Sequence, residues 1–168
     1  MLALAIGIGF VAWLIFKGDD DKNTNTQAAG ATSVSLQELR ALRDSSGHKV
    51  YWAGQRQGEQ YELTQTPNGN IFIRYLPSDS DVGAPRPVYL TVGTYPFKRA
   101  YQTLQRLSRR QNAVTAELPN GGIVVAKDAG SQNVYFAYPD EDLQMEVFDP
   151  RPGRALRLVT SGRIKPIT

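Results

Sequence analysis

The apolar positions of this 168-residue chain change spacing twice. Met1 to Phe16 is an uninterrupted apolar run, closed by Lys17, Gly18 and the aspartates Asp19, Asp20 and Asp21. A polar tract rich in Asn, Thr, Gln, Ala and Gly follows, with no aromatic residue to bury. From Leu36 onward short periodic segments alternate with turn residues. Ser35 caps a helix with Glu38 as its capping-box partner, Leu36, Leu39 and Leu42 form its stripe, and Gly47 ends it. Val50–Ala53, Tyr61–Thr66, Ile71–Leu76 and Val88–Tyr95 are rich in aromatic and β-branched residues and read as strands. Phe97–Arg110 reads as a helix, with Phe97, Ala100, Tyr101, Leu104 and Leu107 on one face. Ala113–Leu118, Gly122–Lys127, Val134–Tyr138 and Leu143–Phe148 form a second set of strands, and Arg154–Thr160 a last helix.

This pattern divides the chain into residues 1–17, a transmembrane anchor; 18–35, a flexible polar linker; and 36–168, one globular domain. A helix over Leu2–Phe16 spans ~22 Å against a hydrocarbon core of ~30 Å, so the anchor reads as truncated at its start. The competing readings are a cleaved signal peptide, which needs a basic n-region and a nearby cleavage site, and a buried core helix. Lys17 on the distal flank is followed by three aspartates, so that side carries no basic excess, and with an N-terminal anchor this favours an extracytoplasmic C-terminal domain. The absence of cysteine is consistent with an external domain that needs no disulfides.

Closely spaced hairpin signals with few helices predict an α+β domain: a mainly antiparallel sheet covered on one face by helices. Its halves read as degenerate copies of four strands and a helix. Pro67-Asn68-Gly69 followed by Ile71 matches Pro119-Asn120-Gly121 followed by Ile123, and Tyr95-Pro96 matches Tyr138-Pro139. The competing reading is two hairpins that share only an Asn-Gly turn.

Composition removes several chemistries. One histidine and no cysteine exclude a thiol nucleophile and a thiolate or multi-imidazole zinc site. His48 lacks a nucleophile elbow and reads as a turn residue bonded to backbone. Asp79-Ser80-Asp81 and Asp140-Glu141-Asp142 lack a calcium loop and read as solvated. No phosphate-binding glycine motif occurs. No catalytic residue, metal or cofactor is assigned. Glu62 and Glu117 are the carboxylates weighed as a hydrolytic pair.

Two surfaces remain as binding candidates. Lys98, Arg99, Arg106, Arg109 and Arg110 on the middle helix, with Arg154 and Arg157 on the last, would form one basic face if the helices lie side by side. Such a face suits anionic lipid or a cell-wall polymer, whereas nucleic acid does not suit a tethered external domain. Tyr51, Trp52, Tyr61 and Tyr75 are candidates for an aromatic groove that binds an envelope protein or glycan; ordinary sheet packing is the alternative.

Gly47-His48-Lys49-Val50-Tyr51-Trp52-Ala53-Gly54, Tyr61-Glu62-Leu63-Thr64, Arg74-Tyr75-Leu76-Pro77, Leu90-Thr91-Val92-Gly93-Thr94-Tyr95-Pro96, Ala137-Tyr138-Pro139 and Val147-Phe148-Asp149-Pro150 resemble an uncharacterised family of small single-pass membrane proteins of actinobacteria. The resemblance spans residues 36–167. It implies an anchored protein in a Gram-positive envelope and carries over no catalytic residue. The expectation is a non-enzymatic binding module on the outer side of the cell membrane. The alternatives are an envelope hydrolase using paired carboxylates and a structural subunit of a larger membrane assembly.

Overall fold

The computed structural model describes residues 30–84 and 87–168. The expected anchor, and the linker as far as residue 29, lie outside the described residues. Among the described residues no helix is long and apolar enough to cross a membrane. The elements in chain order are β1 (Thr32–Val34), α1 (Leu36–Ser45), β2 (Tyr51–Trp52), β3 (Glu59–Gln65), β4 (Ile71–Pro77), β5 (Thr91–Pro96), α2 (Ala100–Leu107), β6 (Val114–Glu117), β7 (Ile123–Ala126), β8 (Asn133–Ala137), β9 (Leu143–Phe148), α3 (Arg154–Thr160) and β10 (Lys165–Pro166). The fold is α+β. Eight strands form one antiparallel sheet in the order β1-β3-β4-β5-β9-β8-β7-β6, and β10 pairs with β2 in a separate ribbon.

The linker ends earlier than expected. Thr32–Val34 pairs with Leu63–Tyr61 and becomes an edge strand, so the chain is held by the sheet before it reaches α1. Ser35 then caps α1 through a full capping box: its hydroxyl accepts the Glu38 N–H, and the Glu38 carboxylate accepts the Ser35 N–H. Leu39 and Leu42 are buried.

The sheet is covered on both faces, which corrects the expectation of one covered face. Side chains alternate along each strand, so neighbours in sequence report on opposite faces. Val134 and Phe136 of β8, with Val124 and Ala126 of β7, join the core that holds Leu39 of α1, Ala155 and Val159 of α3, and Tyr51 and Trp52 of β2. Tyr135 and Ala137, with Val125, pack instead with Ala100 and Leu104 of α2. Helices α2 and α3 therefore lie on opposite sides of the same strands. The second face of β3 and β4 carries Glu62 and Arg74, which bond to the backbone of Gly83 and Ala84 in the segment joining β4 to β5.

Two meanders, β3-β4-β5 and β6-β7-β8, share their geometry. Gln65 pairs with Ile71 around the first Pro-Asn-Gly turn and Glu117 with Ile123 around the second. Ile71 then pairs with Thr94, the residue before Tyr95-Pro96; Ile123 pairs with Ala137, the residue before Tyr138-Pro139. The turns differ in closure and conformation: the Gly69 N–H donates to the Thr66 carbonyl in the first and the Gly122 N–H to the Pro119 carbonyl in the second. Asn120 takes a left-handed conformation (φ 60°), while at the first turn only Gly69 does (φ 79°). Strand β9 lies between the meanders, paired to β5 on one side and β8 on the other.

Candidate functional site

The aromatic candidates are interior. Tyr51, Trp52, Tyr61 and Tyr75 are all buried, so they line no groove. Tyr61 meets Tyr75 edge-on at 5.4 Å, and Tyr51 stacks on Tyr138 at 6.2 Å. Their hydroxyls serve the chain itself. Tyr75 accepts the Ala53 N–H at 2.6 Å, Tyr61 accepts the Arg56 N–H at 3.1 Å, and Tyr51 donates to the Glu141 carboxylate at 2.9 Å. Burial, and after it the charge of Glu141, pushes the Tyr51 phenol well above its ordinary value. Tyr51 and Trp52 belong to the β2–β10 ribbon, and its second strand, Lys165–Pro166, carries no strand signal in the sequence.

The paired-carboxylate candidate is excluded by topology. Six strand spacings separate β3 from β6, which places Glu62 and Glu117 ~29 Å apart along the sheet, against the ~5–10 Å that glycoside hydrolysis requires. Nor do they hold equivalent positions: the matched turns align Glu117 with Gln65. Glu62 is fully buried and paired with Arg74 at 2.6 Å, while Glu117 is exposed.

A third carboxylate, Glu146 on β9, escaped attention in the sequence. Its oxygens accept the hydroxyls of Tyr95 at 2.6 Å and Tyr135 at 3.1 Å, and it is 3 % exposed. Burial raises its acid to about 7, opposed by the two phenol hydrogen bonds. The Tyr95 ring lies over Gly93, the residue opposite Glu146 in the ladder; a Cβ at Gly93 would come within 2.9 Å of that ring. Both carboxyl oxygens are engaged and the group is shut away, so this arrangement is a packed polar pocket of the sheet.

His48 behaves as its sequence context suggests. Its ring nitrogens lie 2.8 Å and 2.9 Å from the carbonyl oxygens of Lys49 and Gly69. Among the described residues no group of three or more metal-ligating side chains occurs.

The basic candidates are exposed, Arg154 only in part, but arranged differently from the expectation. Because α2 and α3 lie on opposite faces, their outer surfaces do not merge. Lys98 and Arg99 sit where β5 passes into α2, and Arg99 takes a left-handed backbone (φ 62°) whose N–H donates to Asp142. Arg157 is exposed on α3, with its guanidinium beside Gly153 in the β9–α3 loop.

The other basic residues meet at one end of β6–β9. Val114, Ala126, Val134 and Val147 form one row across those strands. Beyond that row lie Arg109 and Arg110, which lead from α2 into β6; Lys127, which follows β7; and Arg151 and Arg154, which follow β9. Arg106 stands one turn back on α2. The β7–β8 and β9–α3 loops are joined to each other: the Asp149 N–H donates to the Gln132 carbonyl at 3.0 Å, and the Gln132 amide donates to the Pro150 carbonyl. Asp149 is fully buried and orders the arginines around it. Its Oδ1 accepts the Arg151 N–H at 3.0 Å and Nε at 3.2 Å, and its Oδ2 lies 3.4 Å from Arg154 Nε. Sequence reading missed Lys127 here, because it stands alone in a loop and only register brings it beside Arg109–Arg110.

Comparison with protein-family models, characterised proteins and solved structures finds no match.

Proposed function

We propose that this chain is a membrane-tethered, extracytoplasmic module with a non-enzymatic role, binding an anionic component of the cell envelope. The observation that carries the reading is the basic end of β6–β9, where Arg109, Arg110, Lys127 and Arg151 are exposed on three adjoining segments. Residues 1–17 supply the anchor and residues up to Ala31 the tether. The resemblance to small actinobacterial membrane proteins is consistent with this setting. Within the same proposal, the shared turns and register of the two meanders support descent from one duplicated unit. A structural subunit needs a contiguous apolar docking patch, whereas the exposed large apolar side chains among the described residues are Val88 and Phe97, which belong to different segments.

The chain has no cysteine, so one introduced thiol reports its location without background. Ser161→Cys lies in an exposed turn after α3. In intact cells a membrane-impermeant maleimide labels it, and the labelled chain stays with the membrane after carbonate extraction. Labelling only after lysis, or release by carbonate, overturns the tethered external reading.

A further inference from the structure

We infer that the end of β6–β9 is a preorganised site for a phosphate-bearing polymer, gripped chiefly by arginine; the inference rests on the binding role proposed above and specifies its ligand.

The first support is the composition of the cluster. Four of its five cations, Arg109, Arg110, Arg151 and Arg154, are arginines, and Lys127 is the fifth. A guanidinium presents a planar fork that matches two oxygens of one phosphate, whereas an ammonium acts as a point charge.

The second is how Asp149 holds Arg151. The carboxylate takes the Nε and the backbone N–H of Arg151, so it fixes the root of the guanidinium. Among the described residues no acceptor is bonded to the terminal nitrogens of Arg151, and its side chain is 64 % exposed. A head tethered at Nε with its fork outward loses less freedom on gripping an oxyanion than an untethered side chain would.

The third is rigidity. Gly153 is left-handed (φ 68°), and a Cβ there would come within 2.8 Å of the Ala129 carbonyl. The β9–α3 loop therefore sits against the β7–β8 loop that carries Lys127, and the Asp149–Gln132 and Gln132–Pro150 hydrogen bonds hold them together.

The fourth is extent. From β6 to β9 is three strand spacings, ~14 Å, which one phosphate cannot bridge and an extended polyanion can. Among the described residues of these segments, two acids stand against the five cations. Asp149 is consumed internally. Asp128 accepts the Gly130 N–H and the Ser131 hydroxyl within its own loop. The local balance is therefore positive, and Arg106 extends it along α2.

The test uses the full chain in neutral detergent micelles, with inorganic polyphosphate as probe. Polyglutamate of matched length and phosphatidylglycerol presented in mixed micelles are the comparison ligands. Binding of polyphosphate tighter than of polyglutamate is expected, with log affinity falling linearly against log salt. Arg109→Gln/Lys127→Gln/Arg151→Gln should weaken polyphosphate binding at least tenfold and make the salt slope shallower by about two to three charges. Arg40→Gln/Arg163→Gln/Lys165→Gln removes the same charge elsewhere and should leave binding within about twofold. Far-ultraviolet circular dichroism and a melting curve verify that both variants fold.

Equal losses from the two triple variants would mean unspecific attraction and overturn the site. Preference for polyglutamate overturns the phosphate assignment. Binding to phosphatidylglycerol that Arg109→Gln/Lys127→Gln/Arg151→Gln abolishes, with none to polyphosphate, assigns the cluster to lipid and overturns the polymer. Absence of polyphosphate binding by the folded chain also overturns the inference, while the thiol labelling separately decides whether the tethered external reading stands.

Discussion

Arg74 and Glu62 face each other across β4 and β3, with Arg74 Nη1 donating to Glu62 Oε1 at 2.6 Å and both side chains withdrawn from water. The remaining Glu62 oxygen accepts the Gly83 N–H at 2.6 Å, Arg74 Nη2 donates to the Ala84 carbonyl, and the Arg74 guanidinium lies 5.4 Å from the Tyr89 ring centre. The pair thus pins the segment after β4 onto the sheet. Desolvating both ions offsets much of their attraction, so removing one partner should cost more than removing both. Glu62→Leu leaves a buried cation and an unpaired Gly83 N–H, with an expected loss of about 3–5 kcal/mol. Glu62→Leu/Arg74→Met should recover a large part of that loss. Urea unfolding of the three proteins measures it, and a double variant no better than the single one refutes the argument.

Glu146 gives the fold a pH dependence of definite sign. Its acid sits at about 7 when folded, against an ordinary value of 4.5. A raised value means that the fold favours the protonated acid. Its contribution is complete below about pH 4.5 and is lost as pH rises through 7. By linkage the change amounts to about 3 kcal/mol across that window. Glu146→Gln keeps an acceptor for the phenols and cannot ionise. Unfolding free energies measured from pH 4.5 to 7.5 should therefore diverge, with the variant gaining on the wild type as pH rises. Parallel curves would show that Glu146 titrates as it does in the unfolded chain.

Trp52 separates packing from recognition. It is 7 % exposed, packs 6.5 Å from the Tyr61 ring, and among the described residues its indole N–H has no hydrogen-bond partner. Trp52→Ala should lower stability by about 3–5 kcal/mol through lost burial and the cavity left behind. Trp52→Phe leaves a smaller void and removes the unpaired donor, so it should cost markedly less. Melting temperatures rank the three proteins. A Trp52→Ala variant as stable as the wild type contradicts the interior placement.

How much of this was legible depends on whether the signal was local. Ser35 with Glu38 is a three-residue signal, and α1 begins where it says. Both Pro-Asn-Gly turns close hairpins, and α3 spans Arg154–Thr160 as its spacing predicts. The middle helix is shorter than its stripe of apolar positions, because Arg99 turns left-handed and helical geometry starts only at Ala100. Thr32–Val34 carries no strand pattern; it pairs because β3 offers an open edge. Pairing of β5 with β9 joins residues about fifty positions apart, and nothing near Thr91 or Phe148 announces it. That pairing and the faces chosen by α2 and α3 decide which cations meet. For that reason the basic residues were legible one by one and their grouping was not. The aromatic residues misled for a related reason: a strand apolar on both sides implies two covering layers as readily as an exposed groove.

Gly153 links the fold to the proposed site. Its φ of 68° disfavours any L side chain, and a Cβ would press on the Ala129 carbonyl at 2.8 Å. Gly153→Ala must therefore either strain the backbone or push the β9–α3 loop off the β7–β8 loop. The expected loss of stability is about 1–3 kcal/mol. Movement of that loop also shifts Arg151 relative to Lys127, although no charge is removed. Polyphosphate affinity should then fall several-fold at a temperature where the variant remains folded, with the salt slope nearly unchanged because the number of cations is the same. Arg151→Gln should instead lower both affinity and slope. Calorimetric titration at three salt concentrations distinguishes a displaced cation from a missing one. A Gly153→Ala protein that binds as tightly as the wild type would show that loop placement is immaterial to the site.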